Sequence, residues 1–408
     1  MSASDCVQVL VYHALQPCGT LAAHVKELLG IQISDAALAQ RRARLPWEVF
    51  ARLMELALRP LAQPTKHAHA FYKGLRLVGL DGTLFSLANT PRVLGCLSKA
   101  AARRFQAAFA KIGMCVLMEW GVHNPLAAAI GRDGESESAL GLRLLGQLPR
   151  RCLLIVDRLY GVGKWVDQMQ RAGAAAEGHF LARVRGNLKA KVLEVLKDGS
   201  ALVEVMYRDE RRRKVRVTVR EMRARVVGRH GKVTELRLWT SLLDAEEYPA
   251  LELVRLYAQR WEQEIGYKEL KVEMRDGELL ASHTVETAAQ ELACLVLAQA
   301  ALARMRVEAG TAAGAEVLRV SFAKLLWAVR ALWWTLADAE GLLSARQEAA
   351  LVRRTLRRIG EQLSAPRRAR SCPRAVRQPV TGWPRLMKNE SFNGEIKVTM
   401  TPIPRALS

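Results

Sequence analysis

The chain has 408 residues, half of them apolar, with 62 Lys and Arg against 40 Asp and Glu and a formal charge of +22. That length argues against a single ordinary domain and for two to four. The basic excess favours a polyanionic partner, nucleic acid first, although an Arg-rich genome would also add solvated positive surface. Seven cysteines (Cys6, Cys18, Cys96, Cys115, Cys152, Cys294 and Cys372) form no CxxC pair and are odd in number. This argues against a disulfide framework and a structural zinc site, and fits small buried residues in a reducing compartment. The N-terminus lacks the basic start and apolar core of a signal peptide, and the apolar stretch Leu292–Met305 is too short to span a bilayer. A cytoplasmic soluble protein is expected.

Residues 1–66 read as helical, with Ser34 as an N-cap and Pro46 at the first position of the next helix. Gln40, Arg41, Arg42 and Arg44 make this region either a small DNA-binding unit or a plain helical cap with a basic face. From 67 to 185 the pattern is α/β. Apolar runs at 75–81, 112–122, 125–131, 152–157 and 178–184 read as strands, with a turn at His123-Asn124 and helices near 137–148 and 160–172. Asp81 and Asp157 are expected at the C-terminal ends of two of these strands. Residues 186–246 alternate apolar with basic side chains, an antiparallel β insertion with a turn at Arg229–Lys232. Helical periodicity resumes over 247–305 and continues through 306–372, where LLWAVRALWWTL reads as a core helix or an interface. Arg346–Arg377 holds ten arginines and two acids, either a backbone-binding surface or a solvated face. Residues 373–408 read as an extended tail. The fold class is α/β, a mixed sheet covered by helices and interrupted by the β insertion, with helical N- and C-terminal regions.

Three acids carry the candidate chemistry. Asp81 and Asp157 each close an apolar run, where α/β sheets open their loops to solvent. Paired carboxylates in a basic protein can hold Mg²⁺ beside phosphate. The third acid lies on a helix read as continuous over 250–275. At about 100° per residue, Tyr257, Arg260, Glu264 and Lys271 share a sector about 60° wide. Val254, Ala258, Trp261, Ile265 and Val272 fall beside it as the expected buried stripe. The row reads as an acid for a metal with cations and a phenol for a phosphate, or as helix salt bridges. Lys164, Arg158 and Arg185 read equally as phosphate contacts or solvated surface. Trp239 reads as core packing or as an aromatic facing DNA. No histidine spacing suggests a metal site.

LVGLDGT, LLIVDRLYG, LARVRGN and LYAQRWEQEIGYKELK resemble, in order, the blocks of the insertion-sequence-4 group of DDE transposases, and the Tyr257/Arg260/Glu264/Lys271 spacing resembles that group's signature row. The resemblance covers roughly residues 30–305, and the loop after Asp157 departs from the group in having Arg-Leu-Tyr. It implies a ribonuclease-H-like core and cut-and-paste transposition. Asp81, Asp157 and Glu264 would bind two Mg²⁺ (or Mn²⁺) ions, and Tyr257, Arg260 and Lys271 would hold DNA. The partners implied are double-stranded DNA with terminal inverted repeats, a target DNA and a second copy of the chain. A metal nuclease without strand transfer, or an inactive transposase-derived DNA-binding protein, are the alternatives.

Overall fold

A computed structural model describes residues 1–16, 18–101, 106–227, 233–275, 279–365 and 397–401. The expected turn at Arg229–Lys232, Cys372 and most of the tail beyond 373 lie outside the described residues. In chain order the elements begin with α1 (Ala3–Leu15), α2 (Leu21–Leu29), α3 (Asp35–Ala43) and α4 (Trp47–Ala57). Then come β1 (Phe71–Tyr72), β2 (Leu75–Leu87), α5 (Pro91–Cys96), β3 (Lys99–Ala101), β4 (Gln106–Glu119) and β5 (Asn124–Ile130). The middle holds α6 (Glu137–Leu144), β6 (Cys152–Val156), α7 (Gly163–Ala175), β7 (His179–Arg183), β8 (Lys191–Val195), β9 (Ala201–Arg208), β10 (Lys214–Val227) and β11 (Val233–Thr240). The last elements are α8 (Ala250–Tyr257), α9 (Trp261–Lys268), α10 (Val285–Ala312), α11 (Phe322–Asp338), α12 (Ala345–Gly360) and β12 (Lys397–Met400).

The chain divides into two compact units. The first comprises residues 1–154, 172–178 and 260–364. Its strands run β5-β4-β2-β6, with β2, β4 and β5 antiparallel. In order along the chain the four main strands thus stand 3-2-1-4, the arrangement of a ribonuclease-H-like core. From Ile112 to Met118 both faces of β4 are covered, which is why that stretch is an unbroken apolar run rather than an alternation. Met114, Val116 and Met118 belong to the cluster that includes Leu292, Leu295 and Val296 of α10. On the other face the Cys115 thiol donates to the Glu137 carbonyl at 3.3 Å, at the start of α6. The Ser34 hydroxyl caps α3 by accepting from Ala37 N, and Pro46 stands one residue before α4. Arg42 points inward, donating to the Thr287 carbonyl at 2.8 Å and to Ser282 and Gln290 of the α10 region. It anchors α3 and offers no exposed cation.

The second unit comprises residues 155–171, 179–259 and 365–408. It holds the antiparallel sheet β7-β11-β10-β9-β8, with β12 paired to β10. The β insertion is therefore present, and the tail contributes one short strand to it. Among the described residues no helix is long and apolar enough to cross a membrane.

Candidate active site

The structure corrects the expected place of Asp81. β2 does not stop at the acid but runs on to Leu87, so Asp81 sits mid-strand opposite Val116 of β4. The apolar run stops at Asp81, yet the paired β4 gives every residue to Leu87 a ladder partner. Along a strand, positions two apart share a face. Gly79 shares Asp81's face, and a Cβ there would lie 2.1 Å from Trp120 Nε1 and 2.3 Å from Gln263 Oε1. Only glycine admits α9 this close to the strand. Gly266 faces β4 from the helix side, where a Cβ would lie 2.3 Å from Met118 Sδ and displace the end of that side chain.

The helical run over 250–275 is not one regular α-helix. After α8 comes a 3₁₀ turn at Ala258–Arg260, and after α9 a π turn at Glu269–Glu273. The tighter and wider turns shift the phase, so the expected buried stripe fails at two places: Ala258 is exposed and Val272 is 50% exposed. The inward residues of α9 and the π turn are instead Gln263, Gly266, Tyr267, Glu269 and Leu270.

In the first unit the structure brings Asp81, Arg260, Glu264 and Lys271 to the same stretch of β2. Arg260 Nη2 donates to Glu264 Oε1 at 2.5 Å, and its Nη1 lies 4.0 Å from Asp81 Oδ2. Both carboxylates keep about a fifth of their side-chain surface exposed, 19% and 23%. Lys271 donates to the Leu84 carbonyl at 2.8 Å, with its ammonium 4.8 Å from the Phe85 ring centre. The Tyr267 hydroxyl donates to the Asp81 carbonyl at 2.5 Å. Burial, and then the nearby Asp81 charge, push that phenol well above its usual pKa, so it stays a donor.

Behind α9 lies a buried charge network that the spacing of the sequence does not reveal. His123, in left-handed backbone at φ 50°, meets Glu262 at 2.7 Å through Nε2 and Glu269 at 2.8 Å through Nδ1. Arg306 of α10 closes it, 3.0 Å from Glu269. Burial lowers the His123 pKa, but Glu269 and Glu262 together outweigh it and raise the value above the ordinary one. Glu262 and Glu269 are one heptad apart on the side of the helix away from Glu264, the single sequence hint of this brace.

The second unit carries the other expected residues. Asp157 directly follows β6, its Oδ1 accepting from Leu159 N at 2.7 Å in a turn. Tyr257 ends α8 and is 5% exposed. Lys164 pairs with Glu210 at 2.9 Å, and Arg158 and Arg185 are exposed. Trp239 is core: fully buried, it donates to Glu221 at 2.7 Å, opposite it on β10.

Among the described residues no group of three or more His, Cys, Asp or Glu is arranged to hold a metal. The first unit by itself offers two carboxylates, Asp81 and Glu264, directed at one guanidinium. An oxygen-only pair that already gathers a cation suits a hard divalent ion rather than zinc.

A family model described as "Transposase DDE domain" matches residues 73–300, more than half of the chain, and the chain belongs to that family. It is a transposase, an enzyme that cuts and transfers DNA. A curated relative is the transposase InsG for insertion sequence element IS4 of Escherichia coli (strain K12). It is 28% identical over 361 residues, covering 87% of this chain and 79% of the relative. Among solved structures, the piggyBac transposase synaptic complex with hairpin DNA matches at a TM-score of 0.44 with 11% identity, over 88% of this chain and 76% of that one.

Proposed function

We propose that this transposase moves an insertion sequence by cut-and-paste, with Asp81, Asp157 and Glu264 as its catalytic carboxylates. They would hold two Mg²⁺ or Mn²⁺ ions. The observation that carries the reading is the convergence of Asp81 and Glu264 on Arg260, from a strand and a helix fastened to each other by Tyr267. Asp157 enters by the sequence resemblance. When bound, the ions would supply Lewis-acid stabilisation of an in-line displacement at phosphorus.

The chain's own groups do the rest. Asp81 and Glu264 concentrate negative charge at one point of β2, which a polyanion tolerates only with cations present. Arg260 supplies one of them, a planar fork suited to a phosphate, and Lys271, held by the Leu84 carbonyl, supplies a second. Tyr257 is assigned to the DNA as the third member of the row. The substrate is double-stranded DNA ending in inverted repeats, the acceptor a target duplex, and two copies of the chain would act together on two ends.

The test is cutting of end-bearing DNA in Mg²⁺ by Asp81→Asn, Asp157→Asn and Glu264→Gln. Each should lose at least about a thousandfold in rate, the scale set by removing a group that acts only in the transition state. Binding of the same DNA should persist. Any one of these proteins cutting at the wild-type rate would remove that residue from the site.

A further inference from the structure

We propose that α12 is a DNA-backbone rail: its arginine face binds duplex phosphates without reading sequence. On a wheel at about 100° per residue, Arg346, Arg353, Arg354, Arg357 and Arg358 fall within a sector about 140° wide. Within the helix no acid lies in that sector, and Glu348 is on the other side; the C-cap Glu361, which continues the helical geometry, is the one acid at its C-terminal end. All five arginines are exposed, and among the described residues none forms an ion pair.

The helix alone does not account for this face. Arg357 and Arg358 in the last turn gain from the helix dipole. Arg346 in the first turn is opposed by it. Arg353 with Arg357, and Arg354 with Arg358, are like-charged i,i+4 pairs that cost a few tenths of a kcal/mol each. A Glu among these positions would relieve the repulsion, yet within the helix the face carries none, and five arginines stand against the single C-cap Glu361. A polyanion is the partner that compensates such an arrangement.

The other face explains why the rail is firmly held. Ile359 is buried in the core and Leu356 packs against it, while Leu351 and Val352 are half-buried. At Gly360 a Cβ would lie 2.6 Å from the Ala309 carbonyl of α10, so the two helices touch backbone to backbone there. Beyond the helix, Val320 and Leu363 form a β-bridge. With the apolar side occupied, α12 has no face to lay on a lipid surface. From Arg346 to Arg358 the helix rises about 18 Å. A duplex carries one charge per about 1.7 Å of axis, so several phosphates lie within reach of five guanidiniums. A transposase has the partner at hand: target DNA of any sequence.

The experiment is fluorescence anisotropy on a labelled duplex of arbitrary sequence, without divalent metal, across a series of salt concentrations. The full chain is compared with R346Q/R353Q/R354Q/R357Q/R358Q and with R353Q/R357Q. Glutamine keeps helix propensity, and circular dichroism checks the fold of each variant. Binding by the fivefold variant should weaken at least about tenfold near 0.1 M salt. Its log K against log salt should be shallower by about two to four, with the double variant between. Folded variants with wild-type affinity and slope would overturn the proposal, and the double variant decides if the fivefold one misfolds. Since no cutting is read, this result stands apart from the assignment of the three acids.

Discussion

His123 joins the buried Glu269 to the half-buried Glu262, and with Arg306 it supplies the positive charge that makes the burial of Glu269 tolerable. Its folded pKa is raised, so its contribution to stability is complete below the unfolded value of about 6.5 and is lost as pH rises through the folded value. The wild-type melting temperature should therefore fall between neutral and alkaline pH more than that of His123→Gln, measured side by side by scanning calorimetry. An identical fall in both would show that His123 is not the titrating group. Nothing in the spacing of the histidines marks this residue, because its partners lie at Glu262 and Glu269, more than a hundred positions on. The pairing of Arg260 with Glu264 is legible for the opposite reason, whereas Asp81 meets them only through the fold. Arg260 and Glu264 are one helical turn apart, a local relation that the chain itself sets.

At the scale of elements, α9 and the π turn after it are held to the sheet by polar contacts as well as by packing. Gln263 donates to the Val116 carbonyl, Tyr267 to the Asp81 carbonyl and Lys271 to the Leu84 carbonyl. Tyr267→Phe leaves the Asp81 carbonyl without this donor and should cost about 1–3 kcal/mol in unfolding free energy. It should also slow DNA cutting several-fold with DNA affinity unchanged, because the strand carrying Asp81 loses a tie to the helix carrying Glu264. Cutting that merely tracks the folded fraction of Tyr267→Phe would contradict the positioning role. The helix was legible from its periodicity and its four-residue row. Its phase was not: the 3₁₀ and π turns arise from packing, which leaves Ala258 and Val272 exposed where a regular helix would bury them. The length of β2 was hidden similarly, since the apolar run stops at Asp81 and only its pairing with β4 shows the strand running on to Leu87.

For the whole molecule, the α/β core and the β insertion were readable because buried strands and half-exposed strands carry different patterns, continuous in β4 and β6 and alternating in β9. The charge of +22 narrowed the partner only to a polyanion, and it was the ordered blocks around the three acids that pointed to strand cutting and transfer. Membership of the transposase DDE family agrees with that reading. The most direct measurement incubates the purified chain with Mg²⁺, a duplex bearing the inverted repeats that flank its gene, and a target plasmid. The account predicts joined products, formed by the wild-type chain and absent with Glu264→Gln. Cut DNA that is never joined, or joining that survives in Glu264→Gln, would contradict it.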